Sequence, residues 1–174
     1  LREAARGGGY AKIAVAHHGD DQAETVLYHL LRGSGVTGLS GMKPINGDII
    51  RPFLCVSKNE IKDFLKDFSY VPCHDESNDV EDAVRNRIRL SLVPELISYN
   101  PRVTESLRRT ADIFREEDLF MEEKADVFIS SCVEHDNDKC VFFIAYFLVL
   151  HIALQRRVIR KICCMVAGLS LIHI

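Results

Sequence analysis

The sequence has no CxxC pair, and its six cysteines, Cys55, Cys73, Cys132, Cys140, Cys163 and Cys164, do not form a regular disulfide framework. That excludes a disulfide scaffold and favours a reducing, intracellular setting, with the cytoplasm as the expected location. Apolar runs long enough for a membrane are also missing. The nearest is VFFIAYFLVL at 141–150, well short of the roughly 20 residues a spanning helix needs, so a buried core helix is expected there and no membrane partner. The chain opens on Leu1 rather than Met, without the basic, apolar and small-residue order of a signal peptide, and reads as an internal piece of something longer. No H-E-x-x-H spacing occurs, so His29, His74, His135, His151 and His173 read as structural or incidental. Repeats and low-complexity segments are absent too.

What is present suits a globular chain. Its 174 residues, 47% hydrophobic, can bury a core of one domain plus part of another. The formal charge of −3 hides its distribution: from Arg85 to Arg109 six arginines face only Glu95 and Glu105. Such a local excess suits a polyanion.

Patterning divides the chain near Asn100. Ile13 to Ala16 is a short apolar run with the character of a buried strand. Ala23, Val26, Leu27, Leu30 and Leu31 then fall on one helical face, and Gly33, Gly35, Gly38 and Gly41 end that helix in a loop. IIRPFL, 49–54, predicts a second strand that Pro52 restricts to an edge or terminus. Ser57 and Glu60 make an S-x-x-E capping box ahead of the stripe Ile61, Phe64, Leu65 and Phe68. RNRIRLSLVPELISYNP predicts a helix broken or redirected near Pro94 and stopped at Pro101. From Thr104 onward only helical patterns are found.

Three motifs carry chemistry or imitate it. HHGDDQAET lies where a strand gives way to a helix, the usual ligand edge of an open α/β sheet. Asp21 as N-cap with Glu24 three residues on would explain one acid. It leaves Asp20 crowded beside Asp21, His17 and His18, which is what metal binding, ammonium binding or general-base work requires. GSGVTG, 33–38, has G-x-G-x-x-G spacing but follows a helix instead of a strand, so it is no dinucleotide fingerprint. It serves equally as a helix C-cap or as a close approach for phosphate. Arg85 and Arg89, spaced i to i+4 after DESNDVED, are either a solvated helix start or a guanidinium clamp for oxyanions. QRRVIRK, 155–161, reads as a basic face open to solvent or to nucleic acid.

Taken together, AHHGDDQAETVLYHLLRGSGVTGLSGM, IIRPFL, DESNDVEDAVRNRIRLSLVPELISYNP and LQRRVIRKI, in that order, closely resemble the bacterial tRNA(Ile)-lysidine synthetases of the PP-loop, or N-type ATP pyrophosphatase, superfamily. The likeness spans roughly residues 10 to 165. It implies an α/β fold, with a partial PP-loop (adenine nucleotide α-hydrolase-like) parallel-sheet domain at 1–99. An incomplete all-helical tRNA-binding domain would follow at 100–168, and LSLIHI, 169–174, reads as a non-native tail. It also implies ATP-dependent attachment of free lysine to carbon 2 of the wobble cytidine in tRNA(Ile) with anticodon CAU, through an adenylated tRNA, changing decoding from AUG to AUA.

Carried onto these residues, the resemblance makes Asp20, Asp21 and Glu24 catalytic, with Asp20 on Mg²⁺. His17, Arg32, Gly33, Ser34, Gly35, Arg85, Asn86 and Arg89 would bind substrate or adenylate. Arg102, Arg108, Arg109, Arg156 and Arg157 would hold tRNA, and a second copy of the chain is a candidate partner. The SGGxDS-type loop expected upstream is missing, so the chain alone is expected not to turn over ATP. Two rival readings are a PP-loop tRNA thiolase, whose relatives commonly carry CxxC pairs, and a non-catalytic RNA-binding module.

Overall fold

The computed structural model describes residues 1–68, 84–136 and 139–167. DESNDVED, Cys73, His74 and the tail with His173 lie outside the described residues. Two compact units are present, Leu1–Arg115 and Glu116–Ile174.

The first unit opens with α1 (Arg2–Gly7) and β1 (Ile13–Ala14), followed by α2 (Gly19–Leu31), the single turn α3 (Val36–Leu39), β2 (Ile45–Asn46) and β3 (Ile49–Ile50). The strands align in the order β1-β3-β2, with β1 parallel to β3 (Ile13 opposite Ile49) and β2 antiparallel to it (Ile45 opposite Ile50). Gly47, at φ 61°, supplies the positive φ that the tight β2–β3 turn needs. The strand foreseen over IIRPFL is shorter than its apolar run. Pro52 starts a 3₁₀ turn, Pro52–Cys55, because its ring fixes φ and it has no N–H for a ladder. Strand β3 is central in the sheet and Pro52 stands just beyond its end.

Helix α2 buries every residue from Gln22 to Leu27, whereas Leu30 and Leu31, foreseen on the same apolar face, are exposed. Helix α4 (Lys58–Lys66) begins as its sequence dictates: the Ser57 amide donates to Glu60 Oε2 at 2.7 Å and the Glu60 amide to Ser57 Oγ at 3.2 Å. The arginine-rich segment forms α5 (Val84–Arg87), a π turn (Ile88–Leu92) and α6 (Val93–Tyr99) without interruption. A widened turn before Pro94 moves its ring away from the carbonyl four residues back, so the path is re-phased and not broken. Asn100, in extended conformation, ends α6 before Pro101.

Helix α7 (Val103–Cys132) gives its first turns to the first unit and the remainder to the second. The second unit departs from the all-helical expectation in one respect: β4 (Val133–Asp136) and β5 (Lys139–Phe142) form an antiparallel hairpin. The apolar run 141–150 is therefore divided between β5 and a short α8 (Ile144–Leu148). It is not a buried core helix, since Phe143, Ile144, Leu148 and Val149 are all exposed. Periodicity could not separate these outcomes, because a continuous apolar run fits strand and helix alike.

Helix α9 (Ile152–Val166) completes a core of Ala125, Phe128, Val158 and Ile162, with Phe142 and Phe147 packed edge-on to Phe128. His151 caps α9, accepting the Ala153 amide at Nδ1, which bears out a structural role for that histidine. Along the second unit, Asp118, Glu122 and Asp126 of α7, each one helical turn apart, meet Arg157, Arg160 and Lys161 of α9 at 2.6–3.2 Å. Most of the basic stretch QRRVIRK is thus turned onto acids of its own unit, contrary to its reading as an open basic face.

Candidate active site at the start of helix α2

The chain leaves β1 through Val15, Ala16 and His17 and turns into α2 at His18, whose backbone is extended. His18 is the N-cap, and Asp21, in the third helical position, accepts the His18 amide at 2.9 Å through Oδ2. Asp21 therefore caps from inside the helix, which corrects its assignment as the N-cap residue. A carboxylate there satisfies a donor the helix leaves open and favours the positive helix end. Asp20, its neighbour, points elsewhere, accepting the Lys58 amide at the start of α4 at 2.6 Å. Two adjacent acids thus serve two helix starts, which accounts structurally for part of the crowding.

Glu24 lies one turn further along the face of Asp21, with its side chain only 6% exposed. Arg89, on the π turn, reaches both. Its Nε and Nη2 donate to the two Glu24 oxygens at 2.7 and 2.9 Å, and Nη2 also donates to Asp21 Oδ1 at 2.8 Å. The hydrogen bond to Glu24 foremost, with the charges of Glu24, Asp21 and Asp20, raises the Arg89 pKa above its ordinary value against its partial burial. Arg85 and Arg89, foreseen as one clamp, therefore differ in the structure: Arg89 is bound to the carboxylates and Arg85 is exposed.

Arg85 is close enough to His17 and His29 to depress both imidazoles, although burial is the larger cause for each. His17 Nδ1 is buried without a protein hydrogen-bond partner among the described residues. Arg32 stacks over the Tyr28 ring at 5.2 Å and donates to its hydroxyl. Gly33, at φ 74°, closes α2, and Ser34 and Gly35 lead into α3. Asn86 is half-buried on α5.

The arginines expected to hold tRNA are dispersed. Arg102, Arg109 and Arg156 are exposed. Arg108 lies against the first turn of α2, donates to the Cys55 carbonyl and would meet a Cβ on Gly19 at 2.6 Å, so Gly19 makes room for it. Arg157 is turned inward onto Asp118 and Glu122, both pairs belonging to the second unit.

Sequence reasoning missed Gln22. Its buried amide donates to the Ser40 and Met42 carbonyls at 3.3 and 3.2 Å and accepts the Met42 amide at 2.7 Å, fixing the loop after α3. No local signal marks it, because Gln22 stands among the polar residues Asp20, Asp21, Glu24 and Thr25, and only its burial shows that its amide needs partners. Among the described residues no group of three His, Cys, Asp or Glu side chains is arranged for a metal. A magnesium ion usually takes one or two protein carboxylates with phosphate oxygens and water; of the three acids here, Asp21 and Glu24 are bound by Arg89, and Asp20 accepts the Lys58 amide through Oδ2.

Comparison with known proteins shows the family of the chain. The PP-loop domain family matches residues 1–96, a span that includes β1, α2, the glycine turn, β3 and Arg89. A tRNA(Ile)-lysidine synthase of Caldanaerobacter subterraneus subsp. tengcongensis is 37% identical over 158 residues, 90% of this chain and 34% of the relative. One of Geobacillus kaustophilus is 39% identical over 152 residues, 85% and 33% respectively. One of Parabacteroides distasonis is 46% identical over 105 residues, 60% and 24%. The chain spans about a third of the length of the first two of these curated relatives. With its family match covering more than half of the residues, the chain belongs to the PP-loop domain family.

Proposed function

We propose that this chain is part of a tRNA(Ile)-lysidine synthase, joining free lysine to carbon 2 of the wobble cytidine of tRNA(Ile) with anticodon CAU. In the first step the cytidine O2 attacks the α-phosphorus of ATP and pyrophosphate leaves. In the second, the side-chain amine of lysine attacks carbon 2, AMP departs with the former O2, and the amine gives up its proton. Lysine arrives as an ammonium ion, so it needs carboxylates to bind it and a base to free its lone pair. Asp21 and Glu24 take these roles, with Arg89 orienting both. Arg85, exposed beside His17, takes the phosphate or the lysine carboxylate, and Arg32 with the Gly33–Gly35 turn borders the nucleotide. Asp20 contributes to Mg²⁺, which would neutralise phosphate charge. Arg102 and Arg109 hold the RNA backbone, and the segment beyond residue 99 serves tRNA binding.

The observation that carries this reading is the paired carboxylate site of Asp21 and Glu24 at a parallel strand's end, in a chain 37–46% identical to lysidine synthases. The absence of a CxxC pair favours it over a thiolase. The test substitutes Asp21→Asn and Glu24→Gln in a full-length enzyme carrying an SGGxDS loop and measures lysidine in tRNA by mass spectrometry. Lysidine formation should fall by about 100-fold or more for loss of a base, with tRNA binding retained. Undiminished lysidine would overturn the assignment of both carboxylates. Binding without any lysidine in the parent enzyme would favour the non-catalytic RNA module.

A further inference from the structure

One concavity of the first unit is not lined by the carboxylates Asp21 and Glu24. A cleft of about 630 Å³ lies on the other side of Gln22, walled by the β2–β3 hairpin, the 3₁₀ turn and α7. Its size lies within the range of small-ligand sites. Two chemistries face each other across it. Pro44, Ile45, Ile50 and Pro52 make an apolar wall, and Arg51, Arg108 and Arg115 bring three guanidiniums against one acid, Asp112. Asp112 is paired with Arg115 Nη1 at 2.7 Å, and among the described residues no other acid lines this cleft to compensate the charge of Arg51 and Arg108.

The arginines are held in place by main chain. Arg51 donates to the Lys43 carbonyl at 2.8 Å, Arg108 to the Cys55 carbonyl, and Arg115 to the Ser40 and Met42 carbonyls at 3.5 and 3.4 Å. Each bond goes to a neutral acceptor and spends no positive charge. The Nε atoms of Arg51 and Arg115 have no hydrogen-bond partner among the described residues. Pre-positioned guanidiniums beside an exposed apolar wall suit a ligand that is an anion at one end and a flat apolar body at the other.

We propose that this cleft is a nucleotide subsite: Arg51 and Arg108 take a phosphate, and Pro44, Ile45 and Pro52 take the attached ribose and base. The subsite rests on the cleft's own residues and does not depend on the lysidine reading. The phosphate can belong to a free nucleoside monophosphate or to one nucleotide of an RNA strand, since both present the same chemistry.

Cys55 reports on occupancy, because it is exposed and lines the cleft, while Cys163 is exposed on α9 and serves as internal control. The 174-residue chain would be alkylated with and without CMP, inorganic phosphate or a short single-stranded RNA, and peptide mass spectrometry would follow each cysteine. CMP and RNA should slow Cys55 alkylation and leave Cys163 unchanged. Protection by CMP that RNA cannot reproduce would assign a free nucleotide, and stronger protection by RNA an RNA strand; both support the subsite. Arg51→Gln and, as a surface substitution, Ile45→Glu should each weaken protection about tenfold. Lys124→Gln, a charge change outside the cleft, should not. Circular dichroism of each variant establishes that it is folded. No Cys55 protection by CMP or RNA, protection by phosphate as strong as by CMP, or equal weakening by Lys124→Gln would overturn the proposal.

Discussion

Arg89 grips Glu24 with two hydrogen bonds and Asp21 with a third, so one guanidinium on the π turn governs both carboxylates of α2. Removing it leaves Glu24 buried opposite no cation. Arg89→Ala should cost about 3 kcal/mol of stability, in keeping with loss of one partner from a buried pair. Arg89→Lys, which retains the charge but not the fork, should recover part of that. Urea denaturation of the three proteins checks the order, and an alanine variant as stable as the parent would show that the pair holds nothing together.

The pair Asp118–Arg157 makes a sharper case, because its side chains are 6% and 10% exposed. Arg157→Met should destabilise the second unit by about 3–5 kcal/mol, since it takes the guanidinium away from a buried carboxylate. The double variant Asp118→Leu, Arg157→Met should regain most of the loss. A double-mutant cycle read by thermal melting measures the coupling, and additive losses would refute it.

These two pairs also show which features the sequence disclosed. The strand-to-helix edge, the amphipathic start of α2 and the Ser57–Glu60 box were legible because each is local, set by periodicity or by spacing within four residues. The meeting of Arg89 with Glu24 was not, since it spans 65 residues and depends on a π turn that no composition announces. The acids Asp118, Glu122 and Asp126 were in view at i, i+4 and i+8, and so were Arg157 and Lys161. Their complementarity was overlooked because a charged stripe has the same sequence whether it faces water or a partner helix. The hairpin Val133–Phe142 went unseen because the apolar residues Cys140, Val141 and Phe142 at its end continue unbroken into the next helix.

Acid and base should each weaken the fold through nameable groups. Burial pushes the His17 imidazole below its ordinary 6.5, with Arg51, Arg85 and His18 adding to the effect and Asp21 opposing it. The unfolded chain therefore takes up that proton first, and stability declines as pH drops under 6.5. Burial raises the Glu122 carboxyl, but hydrogen bonds from Lys161 and Arg157 outweigh it and hold the group below 4.5, so its contribution is present above 4.5 and lost as pH falls through the folded value. For Lys161, Asp126 and Glu122 overcome burial and raise the ammonium above 10.5; that contribution is full below 10.5 and vanishes as pH rises through the folded value. Melting temperatures measured across pH should form a plateau between about 6.5 and 10.5. His17→Asn should flatten its acidic shoulder and Glu122→Gln the steeper fall beneath it. Acid limbs identical to the parent's would count against both attributions.

Gly19 and Arg108 predict a steric dependence. A methyl group on Gly19 would sit 2.6 Å from the Arg108 guanidinium carbon. Gly19→Ala should destabilise the first unit by about 1 kcal/mol or less, below core overpacking because the atoms met are the far end of a flexible side chain that can swing aside, and Arg108→Ala in the same chain should remove the steric part of that penalty. Denaturant midpoints for the single and double variants decide it; a Gly19→Ala penalty unchanged by Arg108→Ala would place the strain elsewhere.

The π turn at Ile88–Leu92 has a consequence for how this segment tolerates change in length. It places the guanidinium of Arg89 on α2 while the helix resumes one residue ahead of Pro94 with a different angular phase. Deleting one residue from 90–92 would restore ordinary winding, yet it would swing all of Val93–Tyr99 around the axis and bring the proline ring against a carbonyl. Here the number of residues is under constraint together with the identity of Ile88 and Arg89, whereas at the exposed positions Leu90 and Ser91 a substitution is tolerated better than a deletion.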